Sequence, residues 1–135
     1  MILAKVTGEP ADKVISRDLT RFYRQLFTGK LIGSAAFAEM LKTVDVRDEN
    51  GKVVGHYGLG INPLDTSCGR FWGHDGGVFG METVARTSLD GRRQVAYGTN
   101  HKAYQRPGPD GELLPHPIDA ELGKHVEQAL CGTAD

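Results

Sequence analysis

The spacing of apolar residues has a helical period in the first third of the chain. Residues 1–15 are mixed and are predicted to form a loop. Apolar residues then recur every three or four positions, which predicts an amphipathic helix over 17–27 with Ser16 as its N-cap. These residues are Leu19, Phe22, Tyr23 and Leu26. A second run after Ser34 predicts a shorter helix over 35–42.

Beyond this point apolar and polar residues alternate, which predicts β-strands. Val44 and Val46 alternate before the turn sequence Asp48-Glu49-Asn50-Gly51, whose Asn-Gly pair suits a tight hairpin. We predict strands over 52–62, 69–75, 81–88 and 94–100, with Asn62-Pro63-Leu64-Asp65 ending the first of them and a hairpin turn at Leu89-Asp90-Gly91-Arg92.

The last part of the chain is predicted to be a loop followed by a helix. Residues 101–117 contain four of the six prolines, and a helix begins at Asp119 with an apolar face. That face contains Leu122, Val126, Ala129 and Leu130. The order of elements predicts an α+β fold, in which N-terminal helices and a C-terminal helix cover one face of an antiparallel sheet.

Composition is ordinary and narrows the function only by exclusion. The 135 residues fit one domain, with 39% hydrophobic and 24% charged residues and a net charge of −1. This balance gives no electrostatic reason to expect nucleic acid as a partner. No apolar run is long enough for a membrane span, and the first residues do not form a signal peptide, so a cytoplasmic protein or a piece of an exported precursor is expected.

One motif carries most of the chemical information. Gly73-His74-Asp75-Gly76-Gly77 follows Phe71-Trp72 and precedes Val78-Phe79-Gly80. Three further segments stand around it in order: Asp18-Leu19-Thr20-Arg21-Phe22 after Ser16, Tyr57-Gly58-Leu59-Gly60, and Leu89-Asp90-Gly91-Arg92-Arg93. Together they resemble the C-terminal part of class C β-lactamases and D-alanyl-D-alanine carboxypeptidases, whose third active-site motif is a Lys/His-Thr-Gly strand.

Two other motifs of that family are missing from this sequence. The family nucleophile lies in Ser-x-x-Lys, but the residues three positions after the four serines are Leu19, Phe37, Arg70 and Gly91. The family also has a Tyr-x-Asn motif, but the residues two positions after the four tyrosines are Gln25, Leu59, Thr99 and Arg106. The resemblance therefore implies residues 1–135 as a single domain equivalent to the C-terminal part of a β-lactamase-like α/β domain, without its nucleophile.

The resemblance assigns roles to the motif residues. His74 stands where relatives have Lys or His. Asp75 replaces the commoner Thr, and the negative charge of Asp75 would repel a substrate carboxylate. Gly76 and Gly77 leave room for a substrate strand beside the backbone, and the N–H of Gly77 would be one oxyanion-hole donor. The catalytic candidates are His74, Asp75, Gly76 and Gly77, and the substrate-binding candidates are Gly77, Val78 and Gly80. An alternative is that His74 and Asp75 merely end a β-strand.

The two cysteines leave two states open. Cys68 and Cys131 are free thiols by default in a chain without an export signal. The alternative is a disulfide that joins the start of the motif strand to the last helix, as exported relatives would favour, with a gain of roughly 4 kcal/mol.

The other polar residues give weaker signals. The histidines show no metal-binding spacing, so no metal and no cofactor are expected. A Cys68–His74 dyad is disfavoured because residues six apart on a strand lie about 20 Å apart. Arg86, Arg92 and Arg93 are interpreted as a solvated hairpin.

Three functional hypotheses follow. The first is a fragment of a serine hydrolase acting on a peptide, ester or β-lactam, inactive alone and completed by an N-terminal chain. The second is a non-catalytic module that forms homo-oligomers or binds partners through an exposed sheet edge. The third uses His74 and Asp75 as an acid–base pair, although adjacent strand residues point to opposite faces.

Overall fold

The computed structural model describes residues 11–78, 80–100, 106–109 and 114–132. Two helices come first, α1 (Ala11–Phe27) and α2 (Ser34–Met40). Six strands follow, and α3 (Pro117–Cys131) is the last described helix. The strands are β1 (Val44–Arg47), β2 (Val53–Tyr57), β3 (Asn62–Thr66), β4 (Gly69–Val78), β5 (Met81–Ser88) and β6 (Gln94–Thr99). The predicted α+β class is confirmed.

The strands form two antiparallel sheets. β1 and β2 make a two-stranded sheet, and the other four pair in sequence order as β3-β4-β5-β6. Each pair of neighbouring strands in this sheet is antiparallel, because short turns connect consecutive strands. The motif strand β4 is the longest strand described and lies inside the larger sheet.

The larger sheet is covered on both faces. Trp72 packs on one face with Tyr23 and Leu26 of α1, whereas its neighbour Phe71 packs on the other with Val126 and Leu130 of α3. Adjacent strand residues point to opposite faces, so α1 and α3 lie on opposite sides. This differs from the expectation that the helices share one face. A hydrophobic sheet with two apolar faces requires a cover on each.

Helix α1 begins earlier than its sequence pattern predicted. Its backbone is helical from Ala11, so Ser16 lies inside the helix and is not its N-cap. The predicted loop is therefore wrong for residues 11–15, and residues 1–10 lie outside the described residues. Helix α2 begins at Ser34, and its N-cap position is Gly33.

The predicted strand over 52–62 is two strands separated by a tight turn. The Gly58 N–H donates to the Ile61 carbonyl at 2.7 Å, and the Leu59 N–H donates to the Met40 carbonyl at 3.1 Å. A Cβ at Gly58 would lie 2.4 Å from the Met40 carbonyl oxygen, so only glycine fits this approach. The segment at Asn62, predicted to end a strand, instead begins β3.

The C-terminal helix begins two residues before the predicted start. The His116 ring accepts from the Ile118 N–H and Asp119 accepts from the His116 N–H, which together form a capping box. A disulfide joins Cys68 to Cys131 and ties the start of β4 to the end of α3. Much of the predicted loop over 101–117 lies outside the described residues.

Candidate functional site

The motif strand β4 has one free edge. Its pairing with β3 ends at Gly73, which lies opposite Asn62, whereas its pairing with β5 continues to Val78. None of the six described strands pairs with the β3-side edge of residues 74–78. An unpaired edge exposes backbone N–H and C=O groups that an extended ligand can bind.

His74 and Tyr57 meet beside this edge. The Tyr57 hydroxyl lies 2.7 Å from His74 Nε2, and the two rings make an edge contact with centroids 5.8 Å apart. Tyr57 is the last residue of β2, so the smaller sheet provides a side chain to the motif of the larger one. The hydrogen bond places the imidazole at a defined position on the β4 surface.

A cleft of about 470 Å³ opens between α1 and this part of the sheet. His74 and Gly76 line it from β4, and Tyr57 lines it from β2. The remaining lining residues are Leu19, Tyr23, Gly60, Thr83 and Ala85. Burial raises the pKa of Tyr23, and the neighbouring Arg86 charge opposes this only in part, so its phenol stays protonated at neutral pH. The cleft therefore combines an apolar wall with a few hydrogen-bonding groups, as ligand sites commonly do.

Asp75 lies on the opposite face of the sheet from His74. Its carboxylate accepts a hydrogen bond from Arg86 of β5, and Arg86 also donates to Asn62 at 3.3 Å. Burial raises the pKa of Asp75, but the Arg86 hydrogen bond and charge, with smaller effects of Asn62 and His74, lower it below its usual value. Asp75 is thus a structural anion and is not brought together with His74.

The glycines of the motif occupy distinct positions. Gly76 and Gly77 are exposed on the free-edge segment, and the nearest atom to a Cβ at Gly76 would be 4.0 Å away. A Cβ at Gly77 would lie 3.0 Å from the Met81 carbonyl oxygen, so a side chain there is crowded. Val78 pairs with Met81, and Gly80 turns the chain with a φ of 80°. Gly76, Gly77 and Val78 follow His74 along the free edge, and Gly80 belongs to the turn after it.

Sequence reasoning missed two residues of this region. Arg86 was interpreted as a solvated residue, but it is 7% exposed and bonded to Asp75. The sequence contained a signal for this. Arg86 lies two positions after Val84 in a predicted strand, so the two side chains face the same side of the sheet. The sequence assigned Tyr57 to a segment that resembles the family, Tyr57-Gly58-Leu59-Gly60, but gave its side chain no role in the site. Its contact with His74 depends on how the two sheets meet, which the local pattern does not contain.

Two other classes of site find no support in the described part of the chain. No group of three or more His, Cys, Asp or Glu side chains among the described residues could hold a metal ion. Of the described helices, none has both the length and the apolar character needed to cross a membrane.

The fold and part of the sequence are shared with a solved hydrolase. No protein-family model matches the chain. The chain is similar to the crystal structure of a D-stereospecific amidohydrolase from Streptomyces sp., with 35% identity and a TM-score of 0.63. The match covers 87% of this chain and 30% of that chain, so this chain spans about 30% of the length of the structure it matches. The shared fold and sequence support a relationship, at the level of the superfamily only, to the penicillin-binding and β-lactamase proteins to which that amidohydrolase belongs.

Proposed function

We propose that this chain forms one wall of the active site of a serine hydrolase that cleaves an amide or ester bond. The observation that carries the proposal is the free edge of residues 74–78 next to the cleft. The nucleophile would come from a polypeptide segment outside this sequence, since no serine here belongs to a Ser-x-x-Lys motif.

The free edge suits an extended substrate. A peptide-like ligand can add to β4 as a further strand, with main-chain hydrogen bonds that fix its position. Gly76 and Gly77 are exposed there and carry no side chain that would block the approach. In this arrangement the Gly77 N–H donates to the oxyanion, and one such donor typically lowers a barrier by about 2.7–4 kcal/mol.

The substrate class we propose is the amide of a D-amino acid. The support is the similarity to the Streptomyces amidohydrolase, which is described as D-stereospecific. The position of Asp75 removes the sequence-based objection to a substrate carboxylate, because its side chain is bonded to Arg86 on the far face of the sheet. The proposal therefore still includes the two activities that the sequence suggested, those of D-alanyl-D-alanine carboxypeptidases and of class C β-lactamases.

The first experiment uses the chain alone. Intact-protein mass is measured after incubation with a penicillin, a serine-acylating substrate analogue. We expect no mass gain, because the chain has no recognisable activated serine. A penicilloyl group mapped to a residue of this chain would show that the nucleophile is here and would overturn the division of the site between two segments.

The second experiment supplies the missing part. The chain is co-expressed with the portion of the Streptomyces amidohydrolase that it does not match, and the purified complex is assayed with D- and L-amino acid p-nitroanilides. Hydrolysis of the D-isomer is expected, and His74→Ala should lower its kcat/KM by about tenfold or more, since it removes a hydrogen-bonding group from the cleft. His125→Ala is the matched control, because His125 is exposed on α3 away from the cleft. A folded complex that hydrolyses neither isomer would contradict the proposal.

A binding role is the second candidate, and an exposed apolar face favours it. Val44 and Val46 share a face of the smaller sheet with Tyr57 and are 70% and 40% exposed. Among the described strands, β3 and β6 also form the edges of the larger sheet. This candidate expects self-association or partner capture by strand addition. Sedimentation that shows a stable monomer over a wide concentration range would count against self-association.

A further inference from the structure

The contact between Tyr57 and His74 contains information about the protonation of the imidazole. A neutral imidazole has one N–H donor and one acceptor nitrogen. The Tyr57 hydroxyl lies 2.7 Å from Nε2, which is a short hydrogen bond for these atom types. Whichever group donates decides which ring nitrogen carries the proton.

The chemistry of the two groups favours the phenol as the donor. A phenol O–H is more acidic than the N–H of a neutral imidazole, and an imidazole nitrogen is a better acceptor than a phenol oxygen. The stronger arrangement is therefore Tyr57 O–H donating to Nε2. In that arrangement the proton of the neutral ring must be on Nδ1.

No other described group sets the opposite tautomer. In the serine protease triad a carboxylate accepts from one ring nitrogen and so fixes the tautomer. Here the adjacent carboxylate, Asp75, is on the far face and is bonded to Arg86. Within the described ranges, His74 Nδ1 has no hydrogen-bond partner, and His74 lines the cleft.

We propose that Tyr57 is a positioning residue that fixes neutral His74 as its Nδ1–H tautomer. His74 then presents a hydrogen-bond donor to an acceptor oxygen of the ligand, such as a carbonyl or carboxylate, and does not act as a base through Nε2. The tautomer rests on the Tyr57–His74 geometry and on the relative acidity of the two groups, whereas the ligand contact rests on the proposed hydrolase function.

The tautomer is measured by long-range ¹H–¹⁵N correlation NMR of the ¹⁵N-labelled chain at a pH of about 8.5, above the usual histidine pKa of about 6.5. His74 is assigned among the five histidines by its loss in His74→Gln. We expect Nδ1 protonated and Nε2 unprotonated in the wild type. Wild-type protein with the proton on Nε2 would overturn the proposal, and this result needs no variant to fold.

Two tyrosine variants test the cause. Tyr57→Phe removes only the hydroxyl and should return His74 toward the Nε2–H form that free histidine favours. Tyr97→Phe is the matched control, because Tyr97 packs against the α3 cluster on the other face. Backbone amide spectra show whether each variant keeps the fold. A folded Tyr57→Phe variant with an unchanged His74 tautomer would refute the role of Tyr57.

The donor role is tested in the assembled hydrolase with two substitutions of similar size. The amide nitrogen of asparagine can occupy the place of Nδ1, and that of glutamine the place of Nε2. His74→Asn should therefore keep about tenfold more kcat/KM than His74→Gln, the value of one good hydrogen bond. The reverse order would overturn the donor role. Complete absence of activity in the wild-type complex would refute the hydrolase proposal and leave the NMR result standing.

Discussion

Arg86 and Asp75 form an ion pair across neighbouring strands, on the face of the sheet that α3 covers. The Arg86 side chain is 7% exposed and the Asp75 side chain 44% exposed. Arg86 Nε has no hydrogen-bond partner within the described part of the chain, so the guanidinium relies on Asp75, Asn62 and the Ala85 carbonyl. A buried cation with so few partners makes the stability of the sheet depend on the carboxylate.

The first prediction is that Asp75→Asn destabilises the fold. Removing one partner of a fully buried pair costs about 3–5 kcal/mol, because the other charge stays buried. Asp75 is partly solvated, so we expect a smaller loss of about 2 kcal/mol in the free energy of unfolding. The measurement is urea denaturation followed by circular dichroism.

Asp65→Asn is the matched control for that experiment. Asp65 pairs with Arg70 at 2.7 Å, but both side chains are more than half exposed. Because water screens exposed pairs, Asp65→Asn should change the free energy of unfolding much less than Asp75→Asn. Equal losses of unfolding free energy in the two variants would show that the Asp75–Arg86 pair stabilises the fold no more than an exposed pair does.

The second prediction concerns acid stability. The lowered pKa of Asp75 in the folded state means that the unfolded chain takes up this proton first as the pH falls. Its stabilising effect is therefore present above the unfolded pKa of about 4 and is lost as the pH falls through the lower folded value. Between pH of about 5 and 2, wild-type stability should fall more steeply than that of Asp75→Asn. Parallel curves from unfolding titrations would contradict this.

Local patterns were sufficient for most elements of this fold. The β-favouring residues Thr83, Val84 and Thr87 correctly indicated β5 (Met81–Ser88), and helical spacing indicated α1, although residues 11–16 were missed at its start. The alternating pattern failed to predict the turn at Gly58. The Gly58 N–H donates to the Ile61 carbonyl there, and a Cβ would clash with the Met40 carbonyl oxygen. That turn depends on a contact with a distant helix, which an alternating pattern cannot reveal.

The candidate site could be predicted only in part, because it also depends on contacts between residues that are distant in the sequence. His74 was identified from its neighbours in sequence, whereas Tyr57 approaches it from another sheet, 17 residues earlier in the chain. The separation of His74 from Asp75 was predictable, because adjacent residues of a strand face opposite ways. The partner of Asp75 was not identified, since that requires the register of β4 with β5.

The third prediction is that the disulfide contributes strongly to stability. Cys68 and Cys131 are separated by 63 positions and their Cα atoms lie 5.5 Å apart. Closing a loop of this length stabilises by about 4 kcal/mol in the chain-entropy model. The double variant Cys68→Ala/Cys131→Ala should lose up to that amount in chemical denaturation. Reductant should lower the wild-type Tm and leave the variant's Tm unchanged; a wild-type Tm insensitive to complete reduction would contradict the prediction.

The last prediction distinguishes two glycines of the motif. A Cβ at Gly73 would lie 1.9 Å from the Ala85 carbonyl oxygen, so Gly73→Ala must push β4 away from β5. Overpacking typically costs about 1–3 kcal/mol, and a backbone contact this close should reach the upper end or prevent folding.

Gly76→Ala is the matched change three residues on, and its Cβ would meet nothing closer than 4.0 Å. It should change stability by less than about 0.5 kcal/mol. In the assembled hydrolase, however, the new methyl group would project into the cleft on the His74 face of the sheet and should raise KM. Thermal denaturation of both variants tests the first contrast, and a Gly73→Ala protein as stable as wild type would show that β4 and β5 are not held in this register.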